Sequence, residues 1–352
     1  MTELLQRLAA LGGALDARQT WPAEQFRLLA EAGVLAWVIP REYGGAGVSE
    51  RELVAGYVRL ASACLTTAFV LTQRNGACAR IAASQNDRLK ADLLPRLARG
   101  ELFATVGISH LTTSRQHLRI PAVQIVEESS GFRFRGEVPW VTGADHADYL
   151  VTGGSLEDGR QILAAIPAKS PGVVIDPPAR LLALGASHTS AVRLENVAVD
   201  RHYLVAGPVP QVMRHGSAGT GSLATSALAA GLSKAALEHL AAEAAARPDL
   251  APILQPLSDE CAALEETLMR SADAGAPAGN PVLSSEAIRT RANSLALRST
   301  QALLAASKGA GFVAGHFAER AVREAMFFLV WSCPAPVVAA ALRELAGCGA
   351  GA

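Results

Sequence analysis

The stretch Gly136-Glu-Val-Pro-Trp140-Val-Thr142-Gly143-Ala-Asp-His-Ala-Asp148-Tyr149 sets a Trp and a Thr side by side at a strand end, in a chain that is only 5% aromatic. Trp140 offers a broad face to stack on. Thr142 adds a hydroxyl and a backbone N–H that can meet a ring heteroatom. The pair suits a flat, hydrogen-bonding ring. It equally suits a buried Trp closing a β-sheet core, with Thr142-Gly143 as an ordinary turn.

Outward from this stretch the hydrophobic period changes twice. Residues 102–205 carry short β-rich runs at 123–126, 132–134, 149–151, 162–166, 173–175 and 191–194, separated by Gly, Pro, Asp and Ser. Such spacing predicts a β-barrel or sandwich. Residues 4–97 read as helical, with Pro22 in a first turn, Gly33 at a helix end and Ser49 with Glu52 as a capping box. The segment Ile39-Pro40-Arg-Glu-Tyr43-Gly44-Gly45-Ala-Gly47 is too rich in Gly and Pro for a helix and reads as a loop. From Gln211 the chain is Ala- and Leu-rich, and helices are predicted at 225–246, 256–272, 285–307, 316–332 and 336–346. A small-residue loop at 271–280 joins two of them, Gly309 and Gly347 stop helices, and Pro336 opens the last. The fold class is therefore α+β. An all-α N-terminal domain (1–101) precedes a middle β-domain (102–210) and a C-terminal four-to-five helix bundle (211–352).

Composition narrows the function. At 352 residues and 50% hydrophobic, the chain can bury a large core. Lys+Arg 32 balances Asp+Glu 32 with no basic cluster, which removes the electrostatic footprint of nucleic-acid or polybasic membrane binding. Cys64, Cys78, Cys261, Cys333 and Cys348 are odd in number and lack C-x-x-C spacing, which argues against a disulfide framework and against a zinc site. The N-terminus lacks a basic n-region with an apolar core, and no apolar run nears the roughly 18 residues that span a bilayer. The expected compartment is the cytoplasm, with no metal and no membrane partner.

Four motifs stand in order along the chain. Trp21-Pro22 leads through Glu31-Ala-Gly33-Val34 to the Gly-rich loop; Trp140-Val-Thr142-Gly143 precedes Ala147-Asp148-Tyr149. Leu184-Gly185-Ala-Ser187-His-Thr189 precedes Glu195-Asn196-Val197, and Lys308-Gly309-Ala-Gly311-Phe312 precedes Arg323-Glu324-Ala325. In this order and spacing they resemble the acyl-CoA dehydrogenase superfamily over nearly the whole chain.

The resemblance implies an FAD, with FMN as the alternative, between the β-domain and the C-terminal bundle. Trp140 would pack against the isoalloxazine and Thr142 would bond near N5. Ser109 or His110, in Gly107-Ile-Ser109-His110-Leu-Thr112-Thr113-Ser114, would face the pyrimidine edge. Arg247 matches the Arg that reaches the dinucleotide across a subunit interface, and Gly309 and Gly311 match the turn that lets backbone N–H groups approach a pyrophosphate. The bland alternative for those glycines is a helix C-cap. Leu250-Ala251 and Ser258 replace the family's Phe-Gly and Gln, and Ala305 replaces a second Gln. A homodimer or homotetramer is implied.

The catalytic base departs most from the family pattern. The two positions where relatives carry Glu fall at Ser332 and near Gly221, and Met326-Phe-Phe-Leu-Val-Trp331-Ser332-Cys333-Pro334 holds no acid. Ser332 is a weak base and Cys333 suits burial as a small apolar side chain. The family counterpart of Glu324 belongs to a structural Arg-acidic pair. His110 and His188 are the remaining acid–base candidates, with His110 favoured. The uncharged Ser217-Ala-Gly219-Thr-Gly221-Ser222 points to a substrate larger than, or tethered differently from, an acyl-CoA. Two activities follow: a dehydrogenase acting on a CH–CH group of an acyl thioester or related substrate, or a same-fold monooxygenase using reduced flavin and O2 on a small molecule. The first is ahead on family frequency and is the leading expectation; the second, favoured by the missing base, is the alternative. An electron acceptor or a flavin reductase is the implied partner. An inactive binding protein of the same fold is the third reading.

Overall fold

The computed structural model describes residues 1–112, 121–214, 223–274 and 284–348. Five helices come first: α1 (Thr2–Arg18), α2 (Ala23–Glu31), α3 (Glu50–Ala63), α4 (Leu65–Ala82) and α5 (Asp87–Ala98). Ser49 starts α3 through the expected capping box, its Oγ accepting from Glu52 N at 3.3 Å while Glu52 Oε2 accepts from Ser49 N at 2.9 Å. The loop before it doubles back so tightly that a Cβ on Gly45 would stand 1.9 Å from the Ile39 carbonyl oxygen. Only glycine fits there.

Eight strands follow: β1 (Ala104–Gly107), β2 (Val123–Glu128), β3 (Gly131–Thr142), β4 (Tyr149–Ser155), β5 (Gln161–Pro167), β6 (Val173–Ile175), β7 (Thr189–Asp200) and β8 (Leu204–Val209). They form one sheet in the order β6-β7-β3-β2-β4-β5-β8, with β1 parallel to β4. Each β-rich run of the sequence lies in a strand. The long β3/β7 pair carries the decisive stretch, and its register shifts between Val138 and Val141. There Pro139 and Trp140 together face a single β7 residue, Ala191. Pro139 has no N–H to give to the ladder, so a bulge at this point loses little pairing and re-aims the next side chain. That side chain is Trp140, 52% exposed.

The C-terminal bundle comprises α6 (Leu223–Ala246), α7 (Ala251–Ala274), α8 (Ser285–Gly311), α9 (Phe317–Met326) and α10 (Ala335–Leu345). Four expectations are corrected here. First, α7 starts at Ala251, so Pro256 lies inside it and not at its start; residues 271–274 are helical, and the rest of the expected loop lies outside the described residues. Second, α8 passes through Gly309, and its break is at Lys308 (φ 53, ψ −147). Third, the 316–332 helix ends at Met326, because Phe327 stacks on Trp331 (ring centres 5.0 Å apart) and both meet the edge of Phe69. Aromatic packing overrides helix continuation there, and Ser332 takes φ 49. Fourth, β1 and β8 add two strands that the alternation does not announce.

Three apolar cores hold the elements. One fills the sheet interior and one lies between the α4–α5 pair and the sheet. The largest is shared by α1–α4 and α6–α9, so the first and last parts of the chain bury their apolar faces against each other. Gly231 shows how close they come: a Cβ there would lie 2.4 Å from the Val58 carbonyl oxygen and 2.7 Å from Ala61 Cβ. Gly231→Ala should therefore cost about 1–3 kcal/mol by overpacking. A urea-unfolding midpoint identical to wild type would refute that closeness.

Candidate active site

A cavity of about 810 Å3 lies where α4, the sheet and the bundle meet. Its sheet wall is built by β3 and β7. Thr142 pairs with Thr189 in register, and their hydroxyls lie 3.1 Å apart. Ser187 Oγ lies 2.9 Å from Thr189 Oγ1, and Thr105 donates to the Thr142 carbonyl at 2.7 Å. This chain of hydroxyls fixes the strand ends. Gly143 follows at φ 66, where a Cβ would stand 2.7 Å from the Trp21 ring, which explains the Thr-Gly sequence.

Trp140 and Thr142 both line the cavity, as does Ser109. Ser109 Oγ is buried with no hydrogen-bond partner among the described residues. An unpartnered buried hydroxyl costs about 1–3 kcal/mol unless something in the cavity meets it. A large indole face, an anchored Thr and a waiting Ser hydroxyl on one wall are the donor set that a planar ring with edge heteroatoms requires. The residues thus fit a flavin ring.

His110 is placed differently from expectation. The tight turn Ser109–Leu111 sends successive side chains in opposite directions, and the His110 ring is buried with Nε2 at 2.9 Å from the Gly153 carbonyl of β4. It does not line the cavity. His188 also lies outside, in the turn before β7.

Ser332 does line the cavity, on the loop that follows α9. Its carbonyl accepts from Arg289 Nη1 at 2.7 Å, and Asn293 Nδ2 donates to the Phe328 carbonyl at 2.7 Å, so α8 pins the loop from behind. Burial raises the Cys333 thiol pKa, and its Sγ donates to the Phe328 carbonyl at 3.2 Å; it is no thiolate. Glu324 is buried away from the cavity. Arg323 pairs with Asp16 of α1 at 2.6 Å and with Glu319 at 2.7 Å, while Glu324 faces Arg320 at 3.8 Å. Gly221 lies outside the described residues.

Arg247, Gly309 and Gly311 gather elsewhere. Arg247 Nη2 donates to the Ala306 carbonyl at 2.6 Å, just before the Lys308 break, and none of the three lines the cavity. Gly309 has open space around it, whereas a Cβ on Gly311 would meet Ser307 Cβ at 2.6 Å. Packing alone accounts for Gly311.

Several cavity residues carry no sequence signal. Thr72, Gln73, Gly76 and Arg80 come from α4 and Gln301 from α8. Burial pushes the Arg80 guanidinium down to about 10, so it stays charged at neutral pH. Helix α4 is buried nearly all round, which erases the amphipathic stripe that would have marked its inner face.

Residues 4–101 match the family described as "Acyl-CoA dehydrogenase, N-terminal domain". The chain is 25% identical over 252 residues to the probable acyl-CoA dehydrogenase YngJ of Bacillus subtilis, covering 69% of this chain and 65% of that one. It is 29% identical over 168 residues to a pigment production hydroxylase of Rhodococcus, covering 45% of this chain and 39% of the relative. These alignments thus span less than two thirds of either relative. The butyryl-CoA dehydrogenase structure from Megasphaera elsdenii superposes with a TM-score of 0.84 at 15% identity, covering 98% of this chain and 96% of that one. No helix among the described residues is long and apolar enough to cross a membrane. With the helix–sheet–helix order and the Trp140/Thr142 wall, these likenesses lead to one conclusion: residues 4–101 form an acyl-CoA dehydrogenase N-terminal domain, and the chain has the fold of the acyl-CoA dehydrogenases.

Proposed function

We propose that the protein is a flavin-dependent oxidoreductase of the monooxygenase type, acting on a small molecule without a protein carboxylate at the reacting carbon. One observation carries this reading. Among the described residues that line the cavity there is no Asp, Glu, His, Cys, Lys or Tyr, and the ionisable ones are Arg80 and Arg323. Desaturating an acyl thioester means removing a weakly acidic proton from carbon, which calls for a base within hydrogen-bond reach. Ser332 and Ser109 are hydroxyls with no base beside them among the described cavity residues. A reaction that needs no carbon deprotonation suits this wall better.

When bound, the flavin would supply the redox centre and, once reduced, the means of activating O2. The chain's own groups would do the rest. Trp140 would cover one face of the ring, Ser109 Oγ and the Thr142 hydroxyl or N–H would meet its edge, and Phe69, Phe327 and Trp331 would keep water out. Arg80 gives the cavity a positive charge that suits an anionic substrate group. Likeness to the Rhodococcus hydroxylase supports this reading. The stronger coverage of YngJ supports the second, dehydrogenation of an acyl thioester. We further read the protein as FAD-binding, dimeric or tetrameric, and served by a separate reductase.

The test is an anaerobic titration of the yellow protein with saturated acyl thioesters, followed by reduction through an NADH-dependent flavin reductase and admission of O2. Thioesters should leave the flavin absorbance unchanged, and reductase-driven O2 uptake should respond to the substrate. Bleaching by any thioester would overturn the base-free reading. Trp140→Ala removes stacking area on the order of 100 Å2, equivalent to about 2 kcal/mol, so flavin affinity should fall roughly 10- to 100-fold. Flavin occupancy equal to wild type in that variant would remove Trp140 from the site.

A further inference from the structure

Outside the cavity, the turn after β3 and the turn before β7 bring Asp145, His146 and His188 together. Their meeting is enforced by the backbone. Gly143 N donates to the carbonyls of Ser187 and His188 at 3.0 Å, and His188 itself is held in the left-handed region at φ 48. The His146 ring stacks on Trp21 with centres 4.2 Å apart, which fixes its plane.

The donor atoms form a nearly regular triangle. His188 Nδ1 lies 2.9 Å from Asp145 Oδ2 and 3.2 Å from His146 Nε2, and those two lie 3.6 Å apart. His188 Nε2 is 3.3 Å from the Gln19 carbonyl. A carbonyl can only accept, so Nε2 carries the proton and, in the neutral ring, Nδ1 turns a lone pair toward the other two atoms. Metal-binding imidazoles are oriented in this way, the distal N–H donating to a carbonyl. A single proton on Nδ1 could satisfy Asp145 but not His146 as well. A cation at the centre would satisfy all three.

The dimensions agree. A triangle with those three edges has a centre about 1.9 Å from each corner. An ion bonded at about 2.0–2.1 Å to two imidazoles and a carboxylate would therefore sit just above that plane, with a fourth position open to solvent. Two nitrogens and one oxygen in tetrahedral geometry select zinc over magnesium or calcium, which prefer all-oxygen shells. Asp145 and His146 are exposed, so the site has an entry path. We infer that Asp145, His146 and His188 form a binding site for a divalent transition-metal ion, zinc in the first instance, which ties the α1–α2 connection to the sheet edge. The cysteine spacing that argued against zinc has no bearing on it, because its ligands are His and Asp from turns far apart in sequence.

The experiment uses the full chain with its flavin, freed of metal by a chelator and carrying Cys348→Ser so that the exposed thiol does not compete. Calorimetric titration with zinc chloride should show one equivalent per chain at micromolar affinity or better. His188→Ala and His146→Ala should each weaken this at least about 100-fold, and zinc should raise the melting temperature of the parent but of neither variant. Should either variant fail to fold, Asp145→Asn serves in its place. No zinc uptake by the parent, or equal uptake by parent and variants, overturns the site.

Discussion

Arg74→Ala should destabilise the protein by about 3–5 kcal/mol, the largest effect expected of any single truncation. Arg74 lies inside α4 with no solvent exposure. Its hydrogen-bond partners among the described residues are neutral. Its guanidinium donates to the Leu35 carbonyl at 2.8 Å, to Asn75 Oδ1 at 3.3 Å and to the Leu97 carbonyl. Leu97 is in the last turn of α5, where its carbonyl accepts from Gly100 N at 3.1 Å and still carries the negative end of the dipole. The cation thus compensates backbone groups of two neighbouring elements. Removing it leaves a cavity and strips buried carbonyls of a donor. Since α4 also supplies Gln73, Gly76 and Arg80 to the cavity wall, retention of the proposed flavin should fall with stability. Chemical denaturation reads the effect, and a loss under 1 kcal/mol would show that water replaces the guanidinium without difficulty.

Stability should also fall as the pH rises from about 4.5 to about 7, by roughly 3 kcal/mol through one residue. Burial, the dominant cause, raises the Glu324 carboxyl from 4.5 to about 7. Arg320 and Arg323 oppose this, but Arg320 Nε stands 3.8 Å away, too far for a hydrogen bond, while Asp16 and Glu319 push the same way as burial. In the unfolded chain Glu324 ionises near 4.5, whereas in the folded protein it holds its proton to about 7. Between those values the unfolded state binds fewer protons, so raising the pH favours unfolding. Below the window the contribution is fully present; above it, it is lost. Glu324→Gln should flatten this dependence, becoming more stable relative to wild type at pH 8 than at pH 4. Parallel stability–pH curves for the two proteins would contradict a neutral buried Glu324.

The sequence revealed the architecture because the two periods are physically distinct. Alternation marked β2 through β7, and Ala/Leu content marked the bundle. Trp140 and Thr142 were legible because few aromatics compete for attention, and the structure places both on the cavity wall. The choice between Ser109 and His110 was not, since neighbours in a tight turn point opposite ways and no local pattern says which faces in. The break after Met326 depends on Phe69, more than 250 residues away in the chain, and propensity alone cannot see it. Gln73 and Arg80 read as ordinary polar residues of a helix until the sheet is packed against them.

The core shared by the first and last helices has a consequence during synthesis. The apolar face of α3 has its partner in α6, which begins at Leu223, about 160 residues after α3 ends at Ala63. At roughly 5–20 residues per second, a ribosome needs about ten to thirty seconds to deliver it. Through that interval the nascent chain displays an unsatisfied hydrophobic surface while the intervening sheet is still being made. Yield in the cell should accordingly depend on chaperone supply and translation speed more than on the equilibrium stability of the finished protein.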